Sequence, residues 1–370
     1  MQMGAAMLST TAIARAGGPA TSPTTAPTTQ SGDDLRWMDT RDLRIEGRGW
    51  SDVGFGRLPE RFKADLRPPV WDLSRHSAGL CLRFRSDSAR LVVHYTLTSD
   101  VLAMPHMPAT GVSGFDLYGL TRREWRWRWL SVTRPKEQTG AIDLLSGIDH
   151  DERVYQLYFP LYNGVKSLEI GVDRGAEFEL LPAPKQRVVY YGTSIAQGGC
   201  ASRPGMAHVA ILGRRLDVEM INLGFSGQGR LDLPIADAMS EIDAAVYVVD
   251  CLPNCTTDIV NERGHAFLRR LHTARPTTPI VVVGDPDWCH AFASSPTRAA
   301  QQPRRVAMQQ ACTRAVAAGA RCAWHPIDDA FAPDYEGTVD GVHPNDLGMS
   351  QLANAIAPAI ERALGKAGGR

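Results

Sequence analysis

The sequence has no long hydrophobic run, no excess of charge of either sign and few cysteines. No apolar stretch approaches the roughly 20 residues that a membrane-spanning helix needs, which excludes such a span. Lysine and arginine together number 40, and aspartate and glutamate also number 40. This balance gives no reason to expect binding to nucleic acid or to an anionic membrane surface.

The seven cysteines are spread thinly over 370 residues. A sparse set with an odd number is not the dense framework of a disulfide-stabilised domain. Cys251 and Cys255 stand four positions apart, but no other Cys or His pair has the spacing of a zinc finger. We therefore expect buried thiols, with one disulfide left open, and neither a metal site nor a cofactor.

Residues 1–32 are expected to lie outside the folded domains. Residues 3–13 are small and apolar and precede Ala14-Arg15-Ala16. This arrangement resembles the core and cleavage site of a secretory signal, although a positively charged segment before it is missing. Residues 17–32 are rich in Thr, Pro, Ser, Gly and Ala, which predicts a disordered linker. A secreted or periplasmic protein is the favoured expectation, with a cytoplasmic one as the alternative.

The remaining chain divides into two halves with different periodicity, at residues 33–184 and 185–370. A chain of this length is expected to form two domains. In the first half, short runs such as residues 80–85 alternate between apolar and polar side chains, and Gly and Pro separate the runs. This pattern predicts an antiparallel β-sandwich of jelly-roll type.

Residues 125–129 alternate strictly between tryptophan and arginine. A strand here would place the indoles on one face and the guanidinium groups on the other. The indoles could stack on sugar rings, or they could fill the core of the sandwich while the arginines are solvated. We favour the core, because a half-buried strand needs one apolar face.

In the second half, short apolar strands alternate with segments of helical periodicity. The predicted strands lie at residues 188–191, 218–223, 244–249, 279–284 and 322–327. Such alternation predicts a flavodoxin-like α/β fold, in which a parallel sheet lies between two layers of helices. In sheets of this type the site lies beyond the carboxyl ends of the strands.

Loops that follow these strands carry groups suited to acyl transfer. Ser194 comes just after the first strand, and Asp340 and His343 lie in the loop before the final predicted helix. His343 could take the proton of Ser194, while Asp340 holds the imidazole in the required tautomer. Backbone N–H groups of Ser194 and Gly227 and the side-chain amide of Asn254 could bind the oxyanion of the tetrahedral intermediate.

Each residue has a simpler structural explanation when it is taken alone. Ser194 could cap a helix, and Asn254 and Asp340 could stabilise turns. The glycines around Gly227 could only make a tight connection. Because four loops would bring these groups to one rim of the sheet, we interpret them together as a catalytic site.

These residues also resemble a known family. The resemblance to SGNH hydrolases of the GDSL type covers about residues 186–365. It rests on Gly192-Thr193-Ser194-Ile195, Gly224-Phe225-Ser226-Gly227, Asn254 and Asp340-Gly341-Val342-His343-Pro344. It implies that Ser194 is the nucleophile, that Gly227 and Asn254 are oxyanion donors, and that His343 and Asp340 complete the triad. Thr193 stands where the family name has Asp, and Asn254 lies in Pro-Asn-Cys rather than Gly-x-Asn-Asp.

Residues 113–118 resemble the Gly-x-Asp-Leu-Tyr signature of a β-domain that precedes such hydrolases in bacteria. Several enzymes of this kind remove acetyl groups from plant polysaccharides, so the resemblance implies an esterase acting on O-acetyl groups of a carbohydrate. A lipase, lysophospholipase or thioesterase with the same triad is the alternative, and a glycan-binding protein with an inert hydrolase domain is a second. Trp288 and Gln228 are the candidate substrate-binding residues. The oligomeric state stays open.

Overall fold

The computed structural model describes residues 34–121 and 125–366. The signal-like segment and linker predicted over residues 1–32 lie outside the described residues. The described residues from Leu35 onward form one compact unit, and the division into domains at residue 184 stays a prediction. No helix in the described part of the chain is long and apolar enough to cross a membrane.

The first half forms two antiparallel sheets. Their strand orders are β1-β8-β3-β6 and β5-β4-β7-β2-β9. The strands are β1 (Leu35–Asp39), β2 (Cys81–Ser86), β3 (Leu91–Leu97), β4 (Asp116–Thr121), β5 (Arg126–Val132), β6 (Thr139–Leu145), β7 (Arg153–Tyr158), β8 (Val165–Asp173) and β9 (Phe178–Leu180). Alternate residues such as Phe84 and Leu157 meet Val93 and Ile170 in one buried core. The predicted sandwich is therefore confirmed.

Two short helices interrupt this half, at Pro68–Ser74 (α1) and Ala109–Val112 (α2). Proline at the start of α1 suits the first turn of a helix, where the missing N–H has no intrahelical partner. Val70 and Trp71 of α1 are buried among residues of the second half, including Leu223 and Leu231. Sequence periodicity did not indicate α1, because two turns are too short to show a helical pattern.

The interpretation of residues 125–129 as core-filling is wrong. Strand β5 lies at the edge of its sheet, and Trp125 and Trp129 are 77% and 49% exposed. The indole N–H of Trp129 donates to Asp116 (2.9 Å), and the guanidinium group of Arg203 lies 4.8 Å from its ring. The indoles of this strand do not enter the sandwich core: Trp129 packs against Arg203, and Trp127 packs against a separate apolar cluster that includes Tyr118 and Tyr158.

The Gly-x-Asp-Leu-Tyr signature joins the two halves. Asp116 accepts hydrogen bonds from Arg203 (3.0 Å) and from the backbone N–H of Gly205 (2.7 Å). Arg203 also donates to the hydroxyl of Tyr118. Asp116 is fully buried, so this ion pair connects β4 firmly to the loop at residues 198–206.

The second half forms a five-stranded parallel sheet in the order β11-β10-β12-β13-β14. Its strands are β10 (Arg187–Gly192), β11 (Glu219–Gly224), β12 (Val246–Asp250), β13 (Ile280–Val283) and β14 (Cys322–His325). The helices are α3 (Ser194–Gln197), α4 (His208–Leu216), α5 (Leu233–Glu241), α6 (Thr257–Ile259), α7 (His265–Ala274), α8 (Ser295–Ala317) and α9 (Asp346–Ala363). Helices α5, α7 and α8 pack on one face of the sheet, and α4 and α9 pack on the other. The predicted α/β fold is confirmed, including its flavodoxin-like strand order.

The cysteines follow the expectation of buried thiols. Five of the seven are buried, and all seven are free in this structure. The sulfur atoms of Cys312 in α8 and Cys322 in β14 lie 2.8 Å apart. This pair is the candidate for the one disulfide left open by the sequence.

Candidate active site

Ser194 lies at the turn between β10 and α3. Thr193 caps the short helix, because its side chain accepts the backbone N–H of Ile195 (3.3 Å). Ser194 is therefore the first helical residue rather than the cap, and its hydroxyl is free for other bonds. That hydroxyl lies 2.9 Å from Nε2 of His343.

His343 and Asp340 meet in the loop before α9. Nδ1 of His343 lies 2.7 Å from Oδ2 of Asp340. Oδ1 of Asp340 accepts the backbone N–H groups of His343 (2.8 Å) and Val342 (3.0 Å). Partial burial alone would raise the pKa of Asp340, but these hydrogen bonds lower it below its usual value. An ionised carboxylate at Nδ1 favours the tautomer whose Nε2 can accept the proton of Ser194.

Cys200 lies close enough to Asp340 for the charge of that carboxylate to affect the pKa of the thiol. Burial, and then the charge of Asp340, raise the pKa of this thiol to about 11. A thiol is a good nucleophile only as the thiolate. Cys200 is therefore a poor candidate for a nucleophile near neutral pH.

Gly227 and Asn254 lie on the loops that follow β11 and β12. Gly227 has a φ of +68°, a conformation that favours glycine, and the space where a Cβ would stand is open. The side-chain oxygen of Asn254 accepts the backbone N–H of Gly229 (3.2 Å). This bond joins the two loops and orients the amide, and no described residue uses its NH2 group.

The two candidate substrate-binding residues differ in their surroundings. The side chain and the backbone oxygen of Gln228 both accept hydrogen bonds from Arg67, which pairs with Asp232 (2.7 Å). Gln228 is thus engaged within the protein. Trp288 is half-buried beside the guanidinium group of Arg304 (4.8 Å). The next residue, Cys289, donates its backbone N–H to Gly341 (3.1 Å), so the loop that carries Trp288 packs against the loop that carries His343.

Residues of the first half also reach the site, which the sequence reasoning missed. The ring of His106 lies 6.4 Å from the ring of His343, centroid to centroid. Met104 and Met107 exchange backbone hydrogen bonds and place His106 in a tight turn. The hydroxyl of Tyr162 donates to the backbone oxygen of Ser194 (3.2 Å). No local pattern connects these residues to Ser194 or His343, although the unusual Met-Pro-His-Met-Pro segment could have marked the turn.

Comparisons with known proteins agree with this architecture. Residues 185–361 match the model of the GDSL-like Lipase/Acylhydrolase family. Residues 35–178 match a model described as the N-terminus of SGNH-hydrolase-type esterases. The crystal structure of a protein described as a GDSL-like lipase, from Bacteroides ovatus ATCC 8483, is 31% identical and has a TM-score of 0.84. The alignment covers 90% of this chain and 100% of that one.

The chain belongs to the GDSL-like lipase/acylhydrolase family. As a member, it is an ester hydrolase of the SGNH type, as its sequence predicted. Its first half is the Gly-x-Asp-Leu-Tyr module that the sequence also indicated.

More distant structures share the fold of this GDSL-like hydrolase. The salicylyl-acyltransferase SsfX3 from a tetracycline biosynthetic pathway is 16% identical, with a TM-score of 0.74 over 90% of this chain and 99% of its own. The acetyl xylan esterase Est2A from the rumen bacterium Butyrivibrio proteoclasticus is 10% identical, with a TM-score of 0.56 over 90% and 99%. At these identities the likeness shows the fold alone. No curated protein sequence matches the chain.

Proposed function

We propose that this GDSL-like hydrolase is a serine esterase that removes short acyl groups, with O-acetyl groups on a carbohydrate as its substrate. The observation that carries the proposal is the series of hydrogen bonds from Ser194 through His343 to Asp340. Its two distances, 2.9 and 2.7 Å, are those of a nucleophile, a base and an orienting carboxylate.

The residues have distinct parts in the proposed reaction. Ser194 Oγ attacks the ester carbon while His343 takes its proton, and Asp340 stabilises the resulting imidazolium. The oxyanion is held by the backbone N–H groups of Ser194 and Gly227 and by the NH2 group of Asn254. His343 then protonates the departing alcohol, and an acyl group stays on Ser194. Water attacks this acyl-enzyme with His343 as the base, which releases the acid and restores Ser194.

Two features favour a short acyl group on a bulky alcohol. The side chains of His343 and Asp340 are 30% and 48% exposed, so the base lies at the surface and not at the end of an apolar tunnel. The turn that carries His106 and the loop that carries Trp288 flank His343 from different parts of the chain. Walls of this kind, with aromatic and polar groups, suit a sugar better than a long hydrocarbon chain.

A chain-length series tests the substrate class. We expect kcat/KM on p-nitrophenyl esters to be highest for acetate and to fall by roughly ten-fold by C8, because an open site supplies no apolar surface to offset the entropy lost when a longer acyl chain is ordered. Acetate release from a panel of acetylated glycans then identifies the alcohol. Preference for C8 or longer would instead support a lipase, which the description of the 31% identical relative favours. Sugar affinity without turnover of any ester would support a glycan-binding protein.

We also expect His106 to contact the alcohol part of the substrate. His106→Ala should raise KM for an acetylated glycan by roughly three- to ten-fold, the loss expected for one polar contact, and change kcat for p-nitrophenyl acetate by less than about two-fold. Steady-state kinetics on both substrates measure this difference. His150→Ala, which changes an exposed histidine on the loop between β6 and β7, is the matched control. An unchanged KM for the glycan would rule out this contact.

A further inference from the structure

Arg57 is a buried cation that no carboxylate of the described residues neutralises. Only 2% of its surface is exposed. Its guanidinium group donates to backbone oxygens of four residues, namely Leu73 (2.6 Å), His76 (3.0 Å), Asn222 (3.3 Å) and Gly224 (2.6 Å). Burial lowers the pKa of Arg57 to about 9, which leaves the group charged near neutral pH. A buried charge without a counterion destabilises a folded protein, so its presence calls for an explanation.

The guanidinium group holds the start of the loop that carries Gly227. The guanidinium group donates to the backbone oxygen of Gly224, which is the last residue of β11 and directly precedes this loop. The next residue, Phe225, is fully buried with its ring 4.8 Å below the guanidinium carbon. Phe225 also donates its backbone N–H to Gly192 (3.0 Å), just before the turn that carries Ser194. Arg57 therefore fixes the loop both through a carbonyl and through an aromatic ring.

The same network continues beneath the nucleophile. The side-chain oxygen of Gln197, the last residue of α3, accepts the backbone N–H of Ser226 (3.0 Å). The NH2 group of Gln197 donates to the ring of His76 (3.1 Å), whose backbone oxygen binds Arg57. Burial, and then the charge of Arg57, lower the pKa of His76 to about 4, so this ring is neutral. The positive charge of Arg57 is thus left uncompensated close to the oxyanion loop.

We propose that Arg57 is a positioning residue for the oxyanion hole. It holds the loop at residues 224–229 in place and adds a positive potential that stabilises the tetrahedral intermediate. A fixed charge acts more strongly on a developing oxyanion in a water-poor interior than it would in water. The inference rests on the proposed acyl transfer at Ser194. It also assigns a role to the segment between β1 and β2, which carries Arg57 and α1.

Two substitutions separate charge from packing. Arg57→Gln removes the charge, and we expect kcat for p-nitrophenyl acetate to fall about ten-fold with KM within about two-fold. Affinity for a phenylboronic acid, which forms an anionic tetrahedral adduct with a serine hydroxyl, should fall by the same factor. Arg57→Lys retains a protonatable side chain but loses the planar group that binds four carbonyls, so its kcat should lie between those of wild type and Arg57→Gln. Unchanged kcat in Arg57→Gln, or equal losses in both variants, would overturn the proposal.

Arg214→Gln is the matched control. Arg214 lies 4.0 Å from the ring of Tyr118 and donates to Gly205, so its loss should lower thermal stability without changing boronic acid affinity. If Arg57→Gln does not fold, Phe225→Leu keeps an apolar core residue and removes the ring below the guanidinium group. Its kcat should fall about three-fold at constant KM, since one cation–π contact is lost, and a wild-type kcat would count against the proposal.

A wild-type enzyme inactive on every ester would refute the proposed function itself, whereas an active wild type with a fully active Arg57→Gln refutes only the role of Arg57.

Discussion

Ser194→Ala is expected to lower kcat for p-nitrophenyl acetate by a factor of roughly 10⁴ or more. The hydroxyl of Ser194 is the group that lies 2.9 Å from Nε2 of His343, and alanine has no atom that can form the acyl-enzyme. The fold should persist, because Thr193 and not Ser194 caps α3. Circular dichroism and a thermal melt of the variant should therefore match those of wild type.

The control for this substitution is Ser240→Ala. Ser240 lies in α5, where its hydroxyl donates to the backbone oxygen of Asp237 (2.7 Å). This variant loses the same atom at a distance from the triad, so it should keep wild-type kcat. Burst kinetics on p-nitrophenyl acetate give a second measure, since only proteins with the Ser194 hydroxyl can release p-nitrophenol in a burst. Equal rates of hydrolysis in wild type and Ser194→Ala would exclude Ser194 as the nucleophile.

Asn254→Ala is expected to lower kcat by about 10²–10³-fold, the effect of removing one oxyanion donor in other hydrolases. KM should change little, because the donor binds the charged intermediate more strongly than the neutral ester. Asn254→Asp is the sharper variant. It retains the oxygen that accepts the N–H of Gly229 and so keeps the loops joined, but it puts a negative charge beside the oxyanion. We expect it to lose at least as much activity as Asn254→Ala.

Asn354→Ala controls for the loss of an asparagine elsewhere. Asn354 lies in α9 and accepts a hydrogen bond from Arg215 at the surface (2.9 Å). Its variant should retain wild-type kinetics. If Asn254→Asp keeps more than about half of the wild-type kcat, Asn254 is not an oxyanion donor.

Much of the fold could be predicted from local patterns. The strands from β10 to β14 are short apolar runs, and the helices between them have apolar residues on one face, so both types of element were visible in the sequence. Their alternation required a parallel sheet, which brings Ser194, Gly227, Asn254 and His343 to the carboxyl ends of the strands. The residues 125–129 show the limit of such patterns. Their alternation predicted a strand correctly, but it did not reveal that β5 is an edge strand.

The sequence by itself determined the class of fold, the family and the residues of the candidate triad. These depend on periodicity and on short motifs, each of which lies within a single loop. Only the tertiary structure decided which distant segments surround those residues. His106 beside His343, Tyr162 beneath Ser194 and Arg57 beneath the oxyanion loop all come from the first half of the chain. Such contacts join residues from 32 to more than 200 positions apart, and they arise from the packing of whole sheets and helices. The spacing of residues along the sequence does not encode that packing, so these contacts around the site could be identified only from the tertiary structure.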